Sequence, residues 1–546
     1  MGFKQELAEV ARYRHAYTLA ASASMGSIFY GWDIGIIGGV ISMSSFQESF
    51  GLNTQSAAAR ANLSGNIVAI LQAGSFFGAL STGYFAGKWG RKPVLIASGI
   101  IYMIGSLIQA LVGIGMTQAV GLRVLYFSRF FAGIGVGMVS AIIPSYTSEC
   151  VPKSIRGRCT GMIQLANNIG IMLSFWVNYG ASKNIAVGPL QWRIPFAVQL
   201  VPGIIFVTLM LFQPESPRWL VEQGLYDRAA ASLSFAAGKA VDDPAVIQTL
   251  GEIKADFEGK ERTSIWKQFK MIGESRTTAL RCFYASLVMF FQQWTGTNAI
   301  NYFSPQIFAG LGISGQTSGL LATGVYGVVK VISISLVLAF AVEGMGRKRC
   351  LIIGGLGQGA MMLWIGGYSG IHPQSTVVPA SYVSIVAVYI YAVFYCVGFA
   401  AVAWIVASEC SPNHVRSASL SIAIGVNWLF SFTISKLTPI MLNTITYGTF
   451  LLFGLCCLIM AAWAYFFLPE TTGYALEDIK YLFEEDMVVR SLQDAPGGRI
   501  FLGGRRARRM DEMKGSEPEP VSRRKTDGSI SSELKGSDSI EEVEVA

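Results

Sequence analysis

Charge is scarce in this chain of 546 residues: 14% are Asp, Glu, Lys or Arg, against 52% hydrophobic. Soluble domains cannot be built from that balance, because the apolar residues outnumber any core able to bury them. Cysteine chemistry is missing as well. The eight cysteines show neither metal nor redox spacing, and Cys150, Cys159, Cys350 and Cys410 fall at expected helix ends, so no disulfide framework is implied. There is no nucleotide-binding loop, no cluster of metal ligands and no triad spacing. Gly133-Ile-Gly-Val-Gly137 resembles a glycine-rich loop but lies inside an apolar run, where close helix packing accounts for it. No residue set supplies a nucleophile or a paired acid and base, which argues against an enzyme, and no cofactor is expected. A net charge of +8 invites a nucleic-acid partner, but the excess sits in short loops and forms no binding patch. A cleavable leader is also missing. Met1–Arg14 is polar, and the apolar run after it is long enough to span, so it reads as an anchor that is kept.

What the chain does have is a series of apolar runs from Ala16 to Leu468, each of roughly 20 residues and so able to cross a hydrocarbon layer of ~30 Å. Twelve spans are predicted, the first Ala16–Ile41, the seventh Ala279–Phe303 and the last Phe450–Leu468. The segments Lys88–Lys92, Lys153–Arg158 and Arg347–Arg349 are dense in positive charge, whereas the loops near Gly51, Gly115, Gly312 and Tyr447 carry almost none. Both termini are therefore expected in the cytoplasm. The expected division is a cytoplasmic N-terminus at 1–15, a six-helix bundle at 16–213, a cytoplasmic helical linker at 214–278, a second six-helix bundle at 279–468, and a mostly disordered tail at 469–546. In the linker Trp219, Leu220, Leu225, Ala229 and Leu233 recur at helical spacing.

The two bundles are related by an internal repeat. Gly87-Lys-Trp-Gly-Arg-Lys92 recurs as Glu343-Gly-Met-Gly-Arg-Lys348, Ser148-Glu-Cys-Val-Pro152 with Arg156 recurs as Ser408-Glu-Cys-Ser-Pro412 with Arg416, and Pro214-Glu215 recurs as Pro469-Glu470. All three pairs are about 255 to 260 positions apart in one order. Two homologous halves of this kind hold solute near the bilayer midplane and rock about it.

Gly31-Trp-Asp33, Gly90-Arg91-Lys92, Arg129-Phe-Phe-Ala-Gly133, Glu149 to Arg156, Pro214-Glu-Ser-Pro-Arg218-Trp219, Gln292-Gln293 to Asn298 and Gly346-Arg347-Lys348 together resemble the sugar porter family of the major facilitator superfamily. Finer wording, such as Gly327-Val-Val-Lys330 and Ser435-Lys436-Leu-Thr-Pro439, is similar to fungal members that carry quinate, galacturonate and rhamnose. The resemblance implies an all-α membrane fold of twelve helices in two pseudo-symmetric bundles. It also implies a monomeric plasma-membrane carrier that moves a sugar or sugar-like polyol by alternating access, driven by protons. A carrier of organic acids such as quinate or galacturonate is the second reading, and a non-transporting nutrient sensor is the alternative of another class.

Site residues follow residue by residue. Gln164, Gln292, Gln293, Asn298, Trp404 and Asn427 match sugar-contacting positions, and Tyr302 with Phe303 match the outer gate; the competing reading of the amides is interhelical glue. Asp33 and Arg129 match the pair that takes up and answers the proton, against a static buried ion pair. Arg91, Glu149, Arg156, Glu343, Arg347, Glu409 and Arg416 match a charge network closing the inner side, against topology alone. Three departures stand out. Gly87 replaces a family Asp, implying a weaker first-half network. Gly398 to Trp404 lacks the usual prolines, implying a stiffer hinge. Lys330 stands where glucose carriers have Asn, and a cation there asks for a substrate carboxylate or a nearby carbonyl. Asn62-Leu-Ser64 is a glycosylation sequon read as a chance occurrence.

Overall fold

A computed structural model describes residues 11–152, 155–257, 265–313, 315–341, 345–372, 379–472 and 478–483, all within one compact unit. Ten helices among the described residues are long and apolar enough to cross a membrane. In span order they are Arg14–Ser42 (first), Ala57–Trp89 (second), Arg91–Leu111 (third), Gln118–Cys150 (fourth), Pro189–Leu211 (sixth), Gln316–Ala339 (eighth), Arg347–Ile371 (ninth), Pro379–Cys410 (tenth), Asn413–Thr444 (eleventh) and Tyr447–Phe466 (twelfth). Two further helical segments complete the predicted twelve. The fifth span is Arg156–Asn184, and the seventh is broken into Arg276–Trp294 and Thr297–Gly310. Their lower hydropathy has a physical cause. These are the helices that bring Gln164, Asn167, Asn168, Gln292, Gln293, Asn298 and Asn301 to an interior cavity, so their apolar surface is interrupted on the face that avoids lipid.

Polarity is arranged inside out. Phe77, Ile104, Phe127, Trp364 and Leu455 are exposed on the outside of the bundle, where only lipid spares them the cost of contact with water. Asp33, Arg129 and Lys330 are buried at 2% exposure or less. Helices approach closely where side chains vanish: a Cβ on Gly74 would collide with the Phe130 carbonyl, and one on Gly133 with that of Leu71, which seats the second span against the fourth. Within the halves the first span packs on the fifth, the third on the fourth, the seventh on the eleventh and the ninth on the twelfth. Between the halves the second packs on the eleventh, the eighth on the fifth, and the Thr297–Gly310 piece on the first.

The linker folds as Pro217–Glu222, Tyr226–Ala237, Pro244–Phe257 and Ile265–Ile272. Ser216 accepts a hydrogen bond from the Trp219 N–H, and Pro217 supplies a preset first turn. Leu220, Val221, Ala229 and Ile253 make a small separate core with Trp219 and Leu233 against it, whereas Leu225 caps a helix and stays exposed. Most of the residues after Thr472 lie outside the described set. A short turn, Asp478–Phe483, is described, and it docks: Ile479, Leu482 and Phe483 are buried, with the Phe483 ring edge-on to Tyr284 at 5.3 Å.

Candidate functional site

A cavity opens between the halves. Its walls come from the first, fifth, seventh, eighth, tenth and eleventh spans. They include all seven residues expected to contact solute: Gln164, Gln292, Gln293, Asn298, Lys330, Trp404 and Asn427. Asn167, Asn168, Thr297, Asn301, Tyr30 and Tyr395 also line it. Of these, Asn167 was legible from its spacing of three residues from Gln164, which puts it on the same helix face. Tyr30 and Tyr395 carry no such signal.

The seventh span delivers most of the polar wall because it breaks at Gly296, whose φ of +85° lies in the left-handed region that a Cβ disfavours. The backbone groups released by the break are met locally. Thr295 Oγ1 donates to the Gln292 carbonyl at 2.8 Å, and the Tyr391 hydroxyl donates to the Thr295 carbonyl at 2.9 Å. The break leaves the amides free to turn inward. Gln292 Nε2 donates to the Phe399 carbonyl at 2.8 Å and its Oε1 accepts from Asn427 Nδ2 at 2.7 Å. Asn298 Nδ2 donates to Gln293 Oε1 at 2.6 Å and to Ser431 Oγ at 3.1 Å, and Asn301 Nδ2 donates to Asn298 Oδ1 at 3.4 Å. Asn168 Nδ2 turns back to the Gln164 carbonyl at 2.9 Å.

The tenth span is interrupted despite its lack of prolines. Cys396–Ala400 forms a π turn and Val402–Cys410 resumes the α-helix, so a wider turn makes the break that proline makes elsewhere. The Phe399 carbonyl that holds Gln292 belongs to this turn.

At the end away from the charged loops the halves are sealed. Tyr302 and Phe303 are 1% and 2% exposed, the Tyr302 hydroxyl and the Gln72 side-chain amide are hydrogen-bonded at 2.7 Å, and the Tyr302 backbone lies against Gly38. Lys436 donates to the Asn62 carbonyl at 3.3 Å and also reaches the Asn62 and Asn66 side chains. The sequon at Asn62 thus sits within a helix, its side chain engaged by a lysine and its Ser64 buried.

Asp33 and Arg129 face each other across 3.7 Å, both side chains fully buried. Neither Asp33 oxygen accepts a hydrogen bond. Arg129 is held independently: its Nε donates to the Ile67 carbonyl at 2.7 Å and Nη1 to Gln109 Oε1 at 3.5 Å.

The charged motifs build two matching blocks. In the first half Arg91 grips both oxygens of Glu149 with contacts of 2.9 Å, Ser216 Oγ also donates to Glu149 Oε2, and Glu215 accepts from the Arg91, Lys92 and Ser216 backbone N–H groups. Burial pushes the Glu215 carboxyl above the usual range, against the pull of those donors. In the second half Arg347 meets Glu409 at 3.3 Å, Thr471 Oγ1 donates to Glu409 at 2.6 Å, and Glu470 accepts from the Arg347 and Lys348 N–H groups at 2.9 and 3.0 Å. The Arg91–Glu149 contact is shorter than Arg347–Glu409, and the side-chain-free Gly87 takes no part in it. Nothing would meet a side chain there, and the Gly87 carbonyl instead accepts from Trp219 Nε1 at 3.0 Å. Glu215 and Glu470, absent from the expected network, act as its helix-capping carboxylates. Their recurrence beside proline was the available signal. Arg416 donates to Ser408 Oγ at 2.8 Å, Arg156 joins no ion pair among the described residues and its Nε is unpartnered, and Glu343 lies outside the described residues.

Comparison with known proteins agrees with this architecture. The family model described as "Sugar (and other) transporter" matches residues 19–483. A probable quinate permease of Aspergillus fumigatus is 36% identical over 484 residues, covering 87% of this chain and 88% of that protein. The quinate permease of Emericella nidulans is 35% identical over 494 residues, covering 88% and 90%. Among solved structures, the major facilitator superfamily proton:xylose symporter XylE bound to 6-bromo-6-deoxy-D-glucose superposes with a TM-score of 0.73 at 26% identity, covering 87% of this chain and 100% of that one. The inward open conformation of the xylose transporter XylE from E. coli gives 0.71 at 26% identity, covering 86% and 100%. The chain belongs to the sugar (and other) transporter family and is a multi-pass membrane carrier of small molecules.

Proposed function

We propose that the protein imports a polyhydroxylated solute across the plasma membrane by alternating access, in symport with a proton. One observation carries this reading: eight amide side chains, three from the fifth span, four from the seventh and one from the eleventh, line a single cavity between the halves. Hydroxyl-rich solutes need such paired donors and acceptors, because a polar group left unpaired in a dry site is expensive.

The charged blocks lie at the ends bearing the basic loops, and positive charge favours the cytoplasmic face, which puts both termini there. Each block ties helix ends within its own half and so biases the closed inner state against the open one. Proton coupling rests on Asp33. An ionised carboxylate buried without a hydrogen bond is costly, and a counter-charge at 3.7 Å offsets that cost only in part. Protonation removes the penalty and frees Arg129, which keeps its carbonyl partner and need not move far. The test is uptake in a transporter-null cell with and without a protonophore. Asp33→Asn is expected to abolish accumulation against a gradient while leaving exchange; accumulation that persists sinks proton coupling.

A further inference from the structure

Lys330 is the least expected residue of the cavity. It is 2% exposed in the eighth span, and among the described residues no carboxylate pairs with it. Its ammonium has three N–H donors. One goes to Asn301 Oδ1 at 3.3 Å, and the Tyr326 and Tyr395 rings flank it at 5.7 and 5.3 Å. Those rings soften the charge without neutralising it.

The cation also orients its surroundings. Because Asn301 must turn its oxygen to Lys330, its Nδ2 faces Asn298 Oδ1, and Asn298 in turn donates to Gln293 and Ser431. The relay is thereby polarised away from the ammonium. Beside it Thr297 lines the cavity, with its hydroxyl close to those of Tyr326 and Tyr395. This corner of the cavity therefore holds a positive charge that no carboxylate meets among the described residues. A neutral solute leaves that charge without a counter-ion.

We propose that Lys330 is the counter-ion for a carboxylate on the transported solute, so that the carrier selects a polyhydroxylated ring acid over its neutral analogue. The proposal rests on the transport reading above and narrows its substrate class. The carboxylate accepts from Lys330, while the ring hydroxyls meet the amides of the fifth, seventh and eleventh spans. A consequence for energetics follows. Asp33 is the one carboxylate among the described residues that lies inside the spans away from their charged ends, so one proton enters with one anion. The loaded and empty carriers then bear the same net charge, and transport is driven by the pH difference and not by membrane potential.

The experiment measures uptake of quinate and galacturonate against methyl quinate and galactose, in proteoliposomes holding the wild type, Lys330→Gln or Lys330→Arg. The wild type is expected to take up an acid in preference to its neutral partner. Lys330→Gln should raise the KM for the acid about 10- to 100-fold, as for loss of a charge-assisted hydrogen bond, and raise that for the neutral analogue far less, so that the preference between the two is lost. Lys330→Arg should retain acid uptake. Collapsing the pH gradient should stop uptake by the wild type, and collapsing the potential should not. A wild type that prefers the neutral member, an unchanged acid KM in Lys330→Gln, or loss of both solutes in that variant overturns the assignment while the transport reading stands. Failure of the wild type to move any of the four solutes counts against the transport reading itself.

Discussion

Removing the Gln292 side chain is the most direct challenge to the cavity. Gln292 spends one N–H on the Phe399 carbonyl and one oxygen lone pair on Asn427. One N–H and one lone pair remain for solute. Each neutral hydrogen bond is worth about 0.5–1.5 kcal/mol net, so Gln292→Ala should weaken solute binding by about 1–3 kcal/mol, or about 5- to 150-fold in Kd. A second cost falls on the protein, because the Phe399 carbonyl and the Asn427 amide are left unpaired at about 1–3 kcal/mol each where water cannot reach them. The two costs are separable. Calorimetric titration of purified protein reads the first, and a thermal unfolding midpoint without solute reads the second. The double variant with Asn427→Ala should cost less than the sum of the singles, since the two amides share a bond of 2.7 Å. If Gln292→Ala binds solute within twofold of the wild type, the amides are glue between helices and the site lies elsewhere.

Two more outcomes test the gates. Arg91→Lys exchanges a two-point grip on Glu149 for a single contact and should shift the carrier toward the inward-open state more than Arg347→Lys does. Labelling of a cysteine placed beside the cavity with an impermeant thiol reagent reads that shift, and equal labelling in the two variants refutes it. Tyr302→Phe removes the hydroxyl linked to Gln72 and should lower the barrier to outer opening, raising the rate of solute exchange several-fold with little change in Kd; an unchanged rate removes Tyr302 from the gate.

Much of this was legible in order along the chain. Twelve helices in two halves follow from run length and from the recurrence of Gly90-Arg91 as Gly346-Arg347, because lipid requires each crossing segment to satisfy its own backbone. The cavity amides were legible too, since Gln164 with Asn168 at helical spacing and Gln292, Gln293 and Asn298 around a glycine are hard to place in lipid. Other features needed the third dimension. The π turn at Cys396–Ala400 has no sequence marker, because it is stabilised by packing and by Gln292 reaching across from another helix. The shorter first-half contact depends on how Glu149 meets Arg91 at two points, which the sequence motif alone does not forecast. For Lys330 the chain alone allowed either a carbonyl or an anion as partner. Only the assembled halves set it among two tyrosine rings and one amide oxygen, because the groups around it come from helices apart in sequence and meet through tertiary packing.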